Sequence, residues 1–180
     1  MYFRLPLWWK SWTYCCGMMT ADQITWNKLF ELYQQNHDKK FLQGLACPQN
    51  PDVIINYLNV IALNTSLLHD STHFDVFHTI LAKQAHNNLV LDYVLENLKT
   101  VKPKLISMKS ILGIIIDQIF SEELLDKVNT FLIKNLDQLS DSAFTILHAK
   151  IEKRKTSLED TAKIIKKLLV VRESEKIKLE

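Results

Sequence analysis

Apolar residues recur three or four positions apart along nearly the whole chain, and this spacing is typical of helices that bury one face. In the segment DQITWNKLFELYQQN, which begins at Asp22, the apolar side chains Trp26, Leu29, Phe30 and Tyr33 fall on one stripe. The same periodicity continues through seven further segments, the last of them near the C-terminus. The pattern therefore predicts a chain built from amphipathic helices.

Local signals mark where several of these helices begin and end. Asn50 precedes Pro51, a combination typical of an N-cap followed by the first helical residue. Pro103 is expected to end the helix before it. Near the C-terminus, Thr156 and Glu159 fit a capping box, which predicts that a final helix begins there. The inward stripe predicted after Pro51 is Ile54, Tyr57, Leu58 and Ile61.

The composition supports an all-α fold. The chain has 3 glycines and 4 prolines in 180 residues, whereas β-rich folds consume glycine, proline and asparagine in tight turns. We expect about eight or nine helices of roughly 10–16 residues, joined by short links. The predicted architecture is a HEAT-like array of antiparallel helical hairpins that forms a curved bowl. Residues 1–13 are predicted to be irregular, and residues 14–180 to form a single helical domain.

Charge and hydropathy exclude several classes of protein. The formal net charge of +2 does not indicate a nucleic-acid partner. No apolar run approaches the ~18 residues that span a membrane. The first residues lack the apolar stretch and cleavage site of a signal peptide, and the charged C-terminus does not fit a lipid-anchor signal.

A possible metal site lies in HDSTH, residues 69–73. His69 and His73 have the spacing of the two zinc ligands in HExxH, and Asp92 follows at the distance of a third ligand. Both glutamates of the peptidase pattern are aspartates here, and the shorter side chain would not reach a zinc-bound water. The segment also fits the start of a helix with Asp70 or Ser71 as cap, so that the histidines would not share a regular turn. We therefore expect these residues to be surface or capping residues.

Three cysteines offer further candidate chemistry. Cys15 and Cys16 are adjacent, and Cys47 is too distant for a CxxC motif, so a metal site, a redox pair and a disulfide all stay open. No partner base identifies Cys16 as a nucleophile. The chain contains no GxSxG, P-loop or GxGxxG motif. Asn64 begins the tripeptide Asn-Thr-Ser, a glycosylation sequon in a predicted loop.

Five stretches, in order, resemble segments of one protein family. They are TYCCGMMTADQITWNKLFELY, FLQGLACPQNPDVIINYL, LVLDYVLENLKTV, IFSEELLDKVNTFL and LHAKIEKRKTSLEDTAKIIKKLL. Together they resemble the C-terminal helical domain of the aminopeptidase N type of gluzincin zinc metallopeptidase, the domain also present in the endoplasmic-reticulum aminopeptidases. The resemblance extends from Tyr14 to about Leu169. It departs from the family at Lys153–Thr156, where the family has an asparagine and a tryptophan.

The resemblance implies a role without catalysis. In the family, this domain is an all-helical, HEAT-like bowl that encloses the peptide substrate of a separate catalytic domain. That catalytic domain binds one zinc ion through HExxH-x18-E and carries a GAMEN motif, and neither motif occurs in this chain. We therefore expect no enzyme activity and no cofactor in the chain alone. The implied partners are the catalytic domain, the peptide substrate and a second copy in a homodimer, at an extracellular or plasma-membrane-associated location.

The resemblance also implies a cysteine pairing. In extracellular members, the cysteine of the first stretch bridges to that of the second, which here are Cys15 and Cys47. Such a bridge would tie an irregular N-terminal strand to the end of the second helix, and Cys16 would be a buried thiol. A Cys16–Cys47 bridge and three reduced thiols are the alternatives. The alternative for the whole chain is a stand-alone helical-repeat interaction module without a peptidase partner.

Overall fold

The structure, a computed structural model, describes residues 7–63 and 68–177. Within these ranges it contains ten α-helices and one 3-10 turn, and no strand. The all-α prediction is therefore confirmed. An array of helical hairpins is consistent with this content, and the curved HEAT-like arrangement stays a prediction. Within the described residues, no helix combines the length and the hydropathy of a membrane span.

The chain divides into two compact units, between Gln118 and Ile119. The helices of the first unit are α1 (Leu7–Met18), α2 (Gln23–Asn36), α3 (Lys39–Leu45), α4 (Pro51–Leu63), α5 (Asp70–Gln84), α6 (Asn88–Glu96), α7 (Leu98–Val101) and α8 (Met108–Gln118). The second unit contains α9 (Glu122–Lys134), a 3-10 turn (Leu136–Gln138) and α10 (Asp141–Ile177).

Local sequence signals position the starts of α2 and α4, and the start of α4 at Pro51 is as predicted. Asp22 caps α2, because its side chain accepts a hydrogen bond from the Thr25 N–H at 2.8 Å. Helix α4 begins at Pro51, and the side chain of Asn50 accepts from the Asp52 N–H at 3.0 Å. The stripe predicted for α4 is buried in full: Ile54, Tyr57, Leu58 and Ile61.

The core of the first unit surrounds the short helix α3 and the residues that follow it. Helices α1, α2 and α5 all contact α3, and α4 contacts α5, α6 and α7. Trp26 of α2 is 1% exposed, and its ring lies 5.1 Å from that of Tyr57 on α4. The indole Nε1–H of Trp26 donates to the Leu45 carbonyl at 3.1 Å. These two aromatic residues therefore connect three helices in one cluster.

Helix α1 lies close to α3 because one position between them has no side chain. A Cβ atom placed on Gly44 would lie 3.0 Å from the Cβ of Tyr14, closer than nearly all real contacts of this kind. The ring of Tyr14 also packs on Phe41 of α3 at 5.0 Å. The glycine thus permits a close approach of the two backbones.

The N-terminal segment differs from its prediction. Residues 1–13 were expected to be irregular, but α1 already begins at Leu7, and residues 1–6 lie outside the described part of the chain. The physical reason is tertiary packing, since α1 gains a partner in α3 that local sequence signals do not reveal.

The second unit packs α9 against the first half of α10. The buried residues on these two helices are Leu124, Leu125, Val128, Leu132, Ala143, Leu147 and Ile151. Arg154 of α10 donates through Nε to the Ile119 carbonyl at 3.0 Å, and its guanidinium lies 4.8 Å from the centre of the Phe120 ring. Lys155 forms an ion pair with Asp126 of α9.

The C-terminal helix also differs from its prediction. A new helix was expected to begin at Thr156, yet α10 runs from Asp141 to Ile177 without interruption. The hydroxyl of Thr156 donates to the Glu152 carbonyl at 3.1 Å, so it bonds back to the preceding turn and does not cap a new helix. No glycine or proline occurs between these ends. The capping box alone therefore does not stop the helix.

Replacing Ser157 with proline distinguishes one continuous helix from two. Proline is favourable at the first position of a helix that starts after Thr156, but it costs about 3 kcal/mol in a helix interior. We expect Ser157→Pro to lose part of the circular dichroism signal at 222 nm, because the helix breaks before its C-terminal half. Ser157→Ala, at the same exposed position, should keep the full signal. An unchanged signal in Ser157→Pro would indicate two helices.

Gln84 offers a test of the first unit, because it is 5% exposed and its Nε2 donates to the carbonyls of Ala46 and Pro48, each at 3.0 Å. We expect Gln84→Leu to lower the free energy of unfolding by about 2–4 kcal/mol, since two buried acceptors lose their donor. Urea denaturation measures this change. The control, Gln34→Leu at an exposed position of α2, should leave stability nearly unchanged, and equal effects of the two substitutions would refute the argument.

Candidate functional site

The HDSTH segment forms the start of α5. His69 is its N-cap, with extended backbone angles, and its side chain forms no capping hydrogen bond. Its carbonyl accepts from the His73 N–H at 2.9 Å, which is the first hydrogen bond of the helix. The prediction that Asp70 or Ser71 caps the helix is therefore wrong, because the helix begins earlier in the chain than expected. The backbone of His69 itself is extended and not helical.

His73 is a buried histidine. It is 9% exposed, and its Nε2 has no hydrogen-bond partner within residues 7–63 and 68–177. Burial lowers the pKa of His73, since it penalises the charged ring, while the nearby charge of Asp70 acts in the opposite direction. This environment suits a neutral imidazole. The prediction of a surface or capping residue thus fits His69, which is exposed, but is wrong for His73.

The predicted third member of the zinc pattern, Asp92, lies half-buried on α6. Within the described part of the chain, no group of three histidine, cysteine, aspartate or glutamate residues is arranged to hold a metal ion. The structure therefore does not bring His69, His73 and Asp92 together as a metal site. The spacing of the three residues is a property of the sequence alone.

Cys15 and Cys47 form a disulfide, with their Cα atoms 5.2 Å apart. This is the pair that the family resemblance implies. Cys15 lies on α1 and Cys47 follows α3, so the bridge joins two helical regions. The bridge was predicted to tie an irregular strand to the end of the second helix. Instead, Cys15 lies in a helix, α1, and Cys47 follows the third helix, α3.

Cys16 is an exposed free thiol, although it was predicted to be buried. Neighbouring residues on a helix point about 100° apart. Since Cys15 points toward Cys47, the side chain of Cys16 is turned away from that junction and toward solvent. The helix geometry of α1, which the sequence did not reveal, therefore accounts for the difference.

A cleft of about 480 Å³ lies beside the disulfide. Its lining consists of Cys15, Met19, Cys47, Gln49, Lys83, Gln84, His86 and Asn87. The ammonium Nζ of Lys83, on α5, lies 3.5 Å from the Sγ of Cys15. Lys83 is 68 positions away from Cys15 and no local motif connects them, so the sequence alone does not reveal this contact.

A second cleft, of about 320 Å³, lies between α3 and α5. Its polar lining residues are Lys39, Gln43, Thr72, Asp75, His78 and Thr79. His78 is exposed here, as is His86 at the first cleft. The hydroxyl of Thr79 donates to the Asp75 carbonyl at 2.7 Å and is thus already engaged within the helix.

Two other features bear on function. The predicted glycosylation site, Asn64, lies outside the described residues. In the C-terminal half of α10, four large apolar side chains are between 51% and 63% exposed, namely Ile164, Ile165, Leu168 and Leu169. They lie within two turns of one helix, and such clusters often mark contact surfaces.

His73 should give folding a dependence on pH. Its pKa in the folded chain lies below the ordinary value of 6.5, so the unfolded chain binds the proton more readily. The stability from neutral His73 is therefore fully present above pH 6.5 and is lost as pH falls through the lowered pKa. Between pH 7.5 and pH 5, we expect the free energy of unfolding to fall less in His73→Leu than in the unmodified chain. Urea denaturation at the two pH values measures this difference.

The matched control for this experiment is His78→Leu, which changes an exposed histidine on the same helix. It should retain the full pH dependence. If His73→Leu and the unmodified chain lost stability in parallel, the lowered pKa would be disproved.

Curated protein sequences give no significant match to the chain. Residues 5–153, however, match the profile of the ERAP1-like C-terminal domain. This match includes all of α1 to α9, the disulfide between Cys15 and Cys47, and the first part of α10. The chain therefore belongs to the ERAP1-like C-terminal domain family.

Proposed function

We propose that the chain acts as the non-catalytic C-terminal domain of a zinc metalloaminopeptidase. In this role it packs on a catalytic domain and encloses the peptide, while the catalytic domain removes N-terminal residues. The observation that carries the proposal is the family match over residues 5–153, which includes most of the chain.

The sequence supports a division of labour between domains. HExxH-x18-E and GAMEN, which provide zinc ligands and bind the peptide N-terminus in the resembled family, do not occur in these 180 residues. The only two histidines with the spacing of HExxH are His69 and His73. Of these, His73 is buried and its pKa is lowered. We therefore assign the zinc ion to the partner catalytic domain and no cofactor to this chain.

The disulfide supports a location in an oxidising compartment. Bridges between cysteines form and persist mainly in secreted proteins and in the secretory pathway. The Cys15–Cys47 bridge closes a loop with a sequence separation of 32 residues. In the chain-entropy account, a loop of this size contributes about 3–4 kcal/mol to stability. An extracellular or membrane-associated parent protein is part of this proposal.

A second candidate function is a stand-alone helical interaction module. The observation that favours it is the part of α10 beyond residue 153, which the family profile does not match and which carries the exposed Ile164, Ile165, Leu168 and Leu169. Such an apolar surface suits contact with a protein partner, whether that partner is a peptidase domain or an unrelated protein. A transcript with a continuous upstream reading frame that encodes HExxH would favour the aminopeptidase domain, and its absence would favour the module.

The proposal predicts that the purified chain has no peptidase activity. Incubated with aminoacyl fluorogenic substrates and zinc, it should release no fluorophore above the buffer rate, because no described residues form a zinc site. An intact zinc aminopeptidase, assayed in parallel, supplies the positive control.

Zinc-dependent turnover would contradict this proposal. The double variant His69→Ala and His73→Ala would then identify the source, since loss of activity would assign catalysis to the HDSTH segment. Turnover that persists in the double variant would point to a contaminating peptidase, which a mock purification from an empty expression host, assayed with zinc, would reveal.

A further inference from the structure

The disulfide of the first unit is open to small molecules on one side. Both cysteines line the cleft of about 480 Å³, although Cys47 as a whole is only 6% exposed. A bridge that only staples two helices needs no such access. The cleft is large enough to admit a low-molecular-weight thiol.

The two sulfur atoms have neighbours of opposite character. The Lys83 ammonium lies 3.5 Å from the Sγ of Cys15. The Sγ of Cys47 lies 3.4 Å from the carbonyl oxygen of Gln43. A cation stabilises a thiolate, whereas a carbonyl oxygen accepts a hydrogen bond only from a protonated thiol. The surroundings therefore suit a reduced pair in which Cys15 is the thiolate and Cys47 the thiol.

The charges that face the cleft agree with this assignment. Lys83 and His86 are its titratable lining residues besides the cysteines, and no carboxylate is among the lining residues that the structure describes. The positive charge of Lys83 is thus not neutralised within the cleft. It is available to attract an anionic thiolate and to stabilise the sulfur that leaves.

We propose that the Cys15–Cys47 bridge is a site of thiol–disulfide exchange for low-molecular-weight thiols such as glutathione, with Lys83 as the residue that stabilises the Cys15 thiolate. Nothing in the sequence or the family match assigns such chemistry to this bridge. The exchange is independent of peptide hydrolysis and of any catalytic domain.

The exchange proceeds in two balanced steps. A thiolate attacks the Sγ of Cys47 from the cleft, the bond between the two cysteines breaks, and the electron pair leaves on the Sγ of Cys15 beside Lys83. A second thiolate attacks the sulfur of the small molecule in the mixed disulfide. This step releases the oxidised small-molecule disulfide, and the Cys47 thiolate takes a proton from water and donates to Gln43.

The first unit retains contacts that keep α1 in place once the bridge is open. Tyr14 still packs on Phe41 at 5.0 Å, and Gly44 still permits the close approach of the two helices. The Gln84 hydrogen bonds to Ala46 and Pro48 do not involve sulfur. The open form is therefore a folded state, in which α1 is held by packing alone.

The test uses the full chain with Cys16→Ser, which removes the third thiol. The protein is equilibrated in mixtures of reduced and oxidised glutathione at pH 7, open cysteines are trapped with iodoacetamide, and intact mass gives the open fraction. We expect the bridge to open while the helical circular dichroism is retained. Added Lys83→Met should require about three- to tenfold stronger reducing conditions, and should slow alkylation of Cys15 by a similar factor.

Two further variants serve as controls. Lys109→Met removes an exposed lysine of α8 and should change neither quantity. Lys83→Arg keeps the positive charge. The reducing conditions that open the bridge and the rate of Cys15 alkylation should therefore stay close to those of the protein with Lys83. The proposal is overturned if Lys83→Met behaves like Lys109→Met, or if the bridge opens only together with loss of the helical signal.

Discussion

The first unit depends on satisfying the backbone carbonyls of residues 42–48. This segment is almost entirely buried, and four of its carbonyls accept hydrogen bonds from side chains on other helices. The donors are Trp26 on α2, Tyr57 on α4 and Gln84 on α5. Because an unpaired buried carbonyl costs about 1–3 kcal/mol, these three residues fix how their helices approach α3. The burial of Tyr57 also raises the pKa of its phenol well above the usual value of 10.0, so the hydroxyl stays a donor.

This constraint explains why the family can be identified from loose motifs. The stretches that carry the resemblance include Tyr14-Cys15, Trp26 and Leu45-Ala46-Cys47. In the structure these residues hold the buried segment in place, through the indole hydrogen bond, the bridge between the cysteines and the packing of Tyr14 against α3. The motif residues are thus residues that hold the fold together. They identify a fold.

The sequence predicted what depends on neighbouring residues and missed what depends on distant ones. Asn50 and Pro51 mark the start of α4, and the stripe of α4 is buried as expected, since both signals lie within one or two turns. Helix α1 was missed because its stability comes from α3. The HDSTH spacing suggested a metal site, but side-chain direction and burial decide ligation, and neither can be obtained from spacing alone. Lys83 beside Cys15 is a contact between remote segments, which no local pattern contains.

Helix α10 passes through the point at which the family profile ends. Residue 153 lies within the helix, with 24 further residues to Ile177, so the limit of sequence similarity is not a limit of folding. A chain shortened to that limit would end with four unpaired carbonyls and would lose Arg154 and Lys155, which fasten α10 to the start of the second unit. The unmatched part extends about 36 Å at the rise of an α-helix. The family boundary therefore falls inside one continuous helix. A chimaeric protein made by joining homologous segments at this residue would contain an incomplete α10.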